Sequence, residues 1–120
     1  MTYESIKVVE SAVAPGVTYT VSRMSFARRT ELMMLVRELA RKAEFLEAGG
    51  AGEQMDGALL GKEIDRLYLT WGLRAIGGLR VDGAEATSEI LAAAGPEDLF
   101  YEALAAVRAE MGLGEEERKN

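Results

Sequence analysis

The stretch VTYTVSRMSFARRTELMMLVRELARKAEFLEA, residues 17–48, changes its period once, and that change decides the fold. In Val17-Thr18-Tyr19-Thr20-Val21-Ser22 the apolar residues alternate with hydroxyl residues. Val17, Tyr19 and Val21 point one way and Thr18, Thr20 and Ser22 the other, the period-2 pattern of a half-buried strand. After Ser25 the period lengthens. Leu32, Val36, Leu39, Ala43 and Leu46 follow at steps of four and three, which puts them on one face of a helix of about six turns. Ser25 is placed as its N-cap. Gly49-Gly50-Ala51-Gly52 ends it near Ala48 and reads as the most flexible internal segment.

Working outward, residues 6–13 are rich in β-branched side chains and precede Pro15-Gly16, a turn dipeptide. An N-terminal hairpin follows, with a loop longer than the tightest turns or a bulge. On the other side, Leu60, Ile64, Leu67 and Trp71 repeat the 4-3-4 spacing on a second helix from about Glu53 to Leu73. Gly57 and Gly61 lie inside it and suit a close approach of the first helix, so the pair forms a helical hairpin with Trp71 in the core. Asp82-Gly83 marks a small second hairpin or turn. Thr87 or Ser88 caps a short helix, residues 89–94, that stops at Gly95. Pro96 then suits the first position of a last helix, with Glu97 and Asp98 against its positive end. Its buried stripe is Leu99, Ala103, Val107 and Met111, flanked by Phe100 and Leu104, and Gly112 caps it with Leu113 beyond. The fold class is therefore α+β, mainly α: an N-terminal β-hairpin, a helical hairpin, a short turn or hairpin, and a C-terminal helix. Residues 1–113 read as one domain and 114–120 as an acidic, frayed tail.

Composition removes whole classes of chemistry. The chain has 120 residues, no cysteine, no histidine and a net charge of −6. That excludes thiol and imidazole catalysis, disulfides, and zinc or iron–sulfur ligation by those residues. The opening MTYESIKVVES is acidic and alternating, unlike a signal peptide, and no apolar run approaches a membrane span.

Charge is uneven. Residues 23–42 hold six bases (Arg23, Arg28, Arg29, Arg37, Arg41, Lys42) against two acids, and residues 82–120 hold ten acids against three bases. A basic helix could follow phosphates, but Arg28 and Arg29 stand without aromatic interleaving on an acidic chain. Pairing with acidic side chains is the better reading, and no nucleic acid is expected. Gly57-Ala58-Leu59-Leu60-Gly61-Lys62-Glu63 has one residue too few for a phosphate loop, and Glu63 stands where Ser or Thr must bind magnesium. Glu63 and Asp65 lie on different helix faces, and Glu115-Glu116-Glu117 lacks the interleaving of a calcium loop. No catalytic residue, cofactor, metal or small-molecule substrate is expected.

Methionine is the remaining signal. Leu32-Met33-Met34-Leu35 is four apolar residues in a row, more than one core-facing stripe can absorb. Each methionine alone would be core filling, but part of this run must meet a second surface, either the hairpin or another chain. Met is suited to holding varied apolar partners. The candidate partner-binding set is Leu32, Met33, Met34 and Leu35, with Arg28 and Arg29 beside them.

Taken together, Ser25-Phe26-Ala27-Arg28-Arg29-Thr30-Glu31-Leu32-Met33 after a strand pair, Glu63-Ile64-Asp65-Arg66-Leu67-Tyr68-Leu69-Thr70-Trp71-Gly72-Leu73, the Leu79-Arg80-Val81-Asp82-Gly83 turn, Gly95-Pro96-Glu97-Asp98-Leu99 and the acidic end from Gly112 to Asn120 form a pattern. It resembles small proteins of phage and prophage tail-gene clusters, in particular tail assembly chaperones. The match departs at Gly114, where a Ser or Thr would precede Glu115. The resemblance implies a non-enzymatic protein of the bacterial host cytoplasm. It would bind the long helical tape measure protein, keep it soluble and help recruit tail-tube subunits. It also implies that a longer, frameshifted form can exist. The alternative is a structural virion component: a tube, completion or connector subunit. A homo-oligomer is compatible with either.

Overall fold

A computed structural model describes residues 1–112. Leu113 and the acidic tail at 114–120 lie outside them. The fold is α+β and mainly helical, with an N-terminal antiparallel hairpin, two long helices, short strands and a C-terminal helix. Contacts divide the chain into two compact units, one of Met1–Met24 with the chain from Leu69 onward, the other of Ser25–Tyr68.

The first unit is a sheet with helices packed on it. Strands β1 (Ile6–Glu10) and β2 (Thr18–Ser22) pair antiparallel, Ile6 opposite Ser22 and Glu10 opposite Thr18. The alternation in β2 works as its sequence dictates: Tyr19 and Val21 are sealed completely, and Val17 just before the strand is buried. The connection is the long loop expected of Pro15-Gly16, with Gly16 at φ +93°. A third strand, β3 (Leu73–Gly77), pairs with the other edge of β2 and was not anticipated. It starts directly after a helix, with no turn residues between, and Arg74 forms a bulge that shifts the register between Thr20 and Val21. The order β1-β2-β3 leaves β2 central. Past the end of β3, Gly78 at φ +75° lies against the carbonyl of Gly16. A Cβ at Gly78 would collide with that backbone, so the β1–β2 loop and the chain after β3 can meet only because residue 78 is glycine.

The Asp82-Gly83 turn joins β4 (Arg80–Val81) to β5 (Ala84–Glu85), with φ +50° and +83° at its two central residues. Two consecutive positive φ values give the primed turn that suits a tight hairpin. Helix α3 (Ser88–Ala94) is capped by the Thr87 hydroxyl, which accepts from the Ile90 N–H. Helix α4 (Glu97–Glu110) opens with Pro96 in the cap position itself, one residue earlier than expected, and Glu97 and Asp98 fill its first turn. Its stripe of Leu99, Ala103, Val107 and Met111 is buried, and so is Leu104. These residues, with Tyr19, Val21, Leu73 and Leu91, make the core of this unit, and α4 packs on β2 and β3.

The second unit is two helices and a short connection. Helix α1 (Phe26–Glu47) is capped by Ser25, whose hydroxyl accepts from the Arg28 N–H, and it ends at Ala48 as the glycines require. Helix α2 (Ala51–Gly72) starts at once, so Gly52 is helical and the connection is shorter than the glycine run suggests. The chain reverses, and Gly57 faces α1. A Cβ at Gly57 would stand 3.0 Å from the Ala43 carbonyl oxygen and 3.0 Å from the Glu47 side chain. Gly61 has open space instead, so only one of the two glycines serves close approach. On α1 the expected stripe holds: Leu32 and Ala43 are buried, and Val36, Leu39 and Leu46 are partly covered. On α2 the stripe is only partly covered, Trp71 included, and the sealed residue is Leu69, which lies off it within the segment that belongs to the first unit.

Candidate functional site

Helix α1 carries two apolar faces. Residues advance by about 100° along a helix. Leu32, Val36, Leu39, Ala43 and Leu46 therefore cluster on one side, the covered one. Phe26, Met33, Met34 and Phe45 cluster roughly opposite. They are exposed at 90%, 62%, 73% and 75%. The four-residue run explains this. A helix can turn only part of Leu32–Leu35 towards one core, and the remainder faces outward.

The site residues separate accordingly. Leu32 is buried, so it belongs to the covered stripe and not to the outward face. Met33 and Met34 stand side by side on that face. Leu35 is half-exposed but lies about 100° further round than Met34, on the opposite flank from Met33. Arg28 is partly covered beside the Leu32 stripe, and Arg29 is exposed. Arg37 and Arg41 lie on the outward face itself, between the methionines and Phe45 along the helix. Each shares the Glu38 carboxylate, at 3.8 and 3.7 Å.

A shallow groove of about 470 Å³ lies along this face, lined by Thr30, Met33, Met34, Val36 and Arg37. Met33, Met34 and Val36 supply its apolar lining, and Arg37 adds a guanidinium. The Thr30 hydroxyl is turned back to donate to the Phe26 carbonyl at 3.0 Å. Phe45 extends the same face toward the C-terminal end of α1. Met55 and Leu59, one turn apart on α2, are also exposed, at 64% and 58%. Patches of this kind mark contact surfaces more often than reaction centres. Sequence reasoning found Met33 and Met34 but missed Phe26, Phe45, Met55 and Leu59. The available signal was their spacing: seven residues from Phe26 to Met33, eleven from Met34 to Phe45 and four from Met55 to Leu59 all return to one helix face.

A connected polar cluster lies in the first unit. Glu102 of α4 reaches the β1–β2 loop and accepts from Ser11 Oγ at 2.5 Å, Tyr19 Oη at 2.8 Å, and the N–H groups of Ala12 at 2.9 Å and Val13 at 3.1 Å. Ser11 Oγ in turn accepts from the Ala14 N–H at 2.8 Å. Burial opposes ionisation of Glu102, but the donors from Ser11, Tyr19, Val13 and Ala12 outweigh it and hold the carboxyl below the ordinary glutamate range. The Tyr19 phenol is pushed up to about 12, first by burial and then by its bond to the Glu102 carboxylate. A phenol held neutral against a carboxylate held charged is a tie between loop and helix, not an acid–base pair poised near neutrality.

Among the described residues no group of three or more acidic side chains could hold a metal ion, and no helix is long and apolar enough to cross a membrane. Compared with protein families, curated proteins and solved structures, the chain has no match.

Proposed function

We propose that this protein is a non-enzymatic binder of another polypeptide, and that its partner is an apolar helical segment of a tape measure protein during phage tail assembly. The observation that carries the reading is the outward face of α1, where Met33 and Met34 are exposed away from the stripe that buries Leu32 and Ala43. A contiguous exposed apolar patch marks an interaction surface more often than scattered apolar residues do, which favours a face that a partner covers. Methionine fits a partner whose apolar positions vary along its length, because its side chain repacks at little cost. The resemblance to tail assembly chaperones supplies the partner and the setting: the bacterial host cytoplasm, before tail-tube subunits assemble.

Arg37 and Arg41 give the face a polarity. An amphipathic helix with acidic residues beside its apolar stripe suits it better than a basic one. Binding would bury the methionines and bring the acidic residues of the partner against Arg37 and Arg41.

Co-expression tests the reading. The neighbouring tape measure protein should become soluble and co-purify with this chain, and Met33→Lys with Met34→Lys should abolish the complex. Absence of a complex at low salt would refute it. Mass spectrometry of purified particles distinguishes the structural alternative: an assembly chaperone is missing from the particle, and a tube, completion or connector subunit is present at fixed copy number.

A further inference from the structure

The outer edge of β1 pairs with no strand among the described residues. The register of the hairpin tells which backbone groups are spent. The Arg23 N–H donates to the Ser5 carbonyl and the Ser11 N–H to the Val17 carbonyl, at 2.8 and 2.9 Å. In an antiparallel pair, directly opposed residues alternate between exchanging hydrogen bonds and not doing so. Lys7, opposite Val21, and Val9, opposite Tyr19, are therefore the β1 residues that bond to β2. The N–H and C=O groups of Ile6, Val8 and Glu10 point the other way. Among the described residues no strand lies there, because the sheet order is β1-β2-β3.

Natural edges are usually blunted by proline, bulges or lysines on the edge. β1 contains no proline, and its pairing with β2 is regular throughout. Its one lysine is turned toward α4, where Lys7 Nζ lies 3.8 Å from Glu110. The edge is also apolar, with Ile6 exposed at 40% and Val8 at 61% on the same face. The other edge strand, β3, is interrupted by its bulge.

We infer that β1 pairs antiparallel with β1 of a second copy of this chain, with Val8 on the two-fold axis. Overlap selects that register, because Val8 is the midpoint of Ile6–Glu10 and centring there pairs the whole strand, and charge agrees with it. Centring the pair on Lys7 would oppose lysine to lysine and Glu10 to Glu4, whereas centring it on Val8 opposes Val8 to Val8, Ile6 to Glu10 and Lys7 to Val9. Like charges directly opposed are destabilising. In the Val8 register the outward groups of Ile6, Val8 and Glu10 find partners, two bonds at each opposed pair. The contact is short, so the dimer is a weak one that forms at high concentration.

Sedimentation equilibrium of the full chain, from roughly 1 μM to 1 mM, together with amide exchange by NMR, tests this. The mass should rise from 13.0 kDa towards twice that value with concentration. Val8→Lys should stay monomeric, while Val8→Thr and Met33→Lys should dimerise like the parent. In the parent at high concentration, the Ile6, Val8 and Glu10 amides should become protected along with those of Lys7 and Val9. In Val8→Lys only Lys7 and Val9 should remain protected, which also shows that the sheet is intact. A parent that is monomeric throughout would overturn the proposal. So would a dimer that survives Val8→Lys, one that is lost in Met33→Lys, or alternate-residue protection that persists at high concentration. The exchange pattern of the parent needs no variant, so the test stands even if a substitution fails to fold.

Discussion

Replacing Glu102 with alanine removes the acceptor for four donors at once, and the structure allows the loss to be apportioned. The Ala12 and Val13 amides are exposed, so water takes over from the carboxylate at little cost. The hydroxyls of Ser11 and Tyr19 are partly buried. Each of these loses a charge-assisted hydrogen bond, and stranding such a donor costs about 1–3 kcal/mol. A loss of roughly 2–6 kcal/mol follows. Glu102→Gln keeps one acceptor oxygen but turns an amide N–H₂ toward the donors, so about 1–2 kcal/mol is expected. Tyr19→Phe should cost about 1 kcal/mol, and the double variant should be less than additive by a similar amount. Urea unfolding followed by the fluorescence of Trp71, the chain's one tryptophan, reports on the unit that contains this tie. The sign with pH is fixed as well. The folded state lowers the Glu102 pKa, so the contribution is complete at neutral pH and disappears as pH falls through the folded value. A Glu102→Ala variant within about 0.5 kcal/mol of the parent at pH 7, about the scatter of a surface substitution, would refute the view that this carboxylate fastens the loop to α4.

The Tyr19 phenol gives the alkaline counterpart. Its pKa is raised in the folded state from 10.0 to about 12, so its contribution is complete below 10 and is lost as pH climbs through 12. Ultraviolet titration should find a late phenolate component that Tyr19→Phe removes. Gly72→Ala places a Cβ against the Val107 side chain in the core of the first unit, so unfolding should occur about 1–3 kcal/mol earlier. The two faces of α1 should respond oppositely to truncation. Leu32→Ala opens a cavity costing about 2–4 kcal/mol, whereas Met33→Ala should change stability by less than about 0.5 kcal/mol, both by urea unfolding.

Most of the fold was legible because its elements carry strong local signals. The period change after Ser22, the hydroxyl caps at Ser25 and Thr87, the Asp82-Gly83 turn and the α4 stripe each specify their own neighbourhood. β3 was not legible. Leu73-Arg-Ala-Ile-Gly77 has little β-branching and follows a helix without punctuation, so its conformation is set by pairing with β2 and not by its own residues. Leu69 was missed for a related reason: α2 passes from one unit to the other near it, so the stripe that suits the first part of the helix is not the stripe sealed at its end. Gly57 and Gly61 look alike in sequence, and only the position of α1 distinguishes them.

The candidate site was half legible. The surplus of Leu32–Leu35 announced a second face, but composition could not say which residues would turn outward. Helical spacing could have, and it separates Leu32 from Met33 and Met34. The Glu102 tie gave no local signal at all. Ser11 and Glu102 are 91 positions apart, and a single glutamate on a helix looks like any other surface acid until the loop is brought to it.

The chain has six methionines, and they offer the most direct test of the central claim. Methyl spectra of methionine-labelled protein, recorded with and without the proposed partner, a tape measure protein, report each side chain separately. Met33 and Met34, exposed on α1, should shift or broaden on addition of the partner, while Met111, buried at 3%, should stay in place. If Met33 and Met34 are unchanged while the partner is bound, or if no methionine responds at any concentration, the outward face of α1 is not where this protein works.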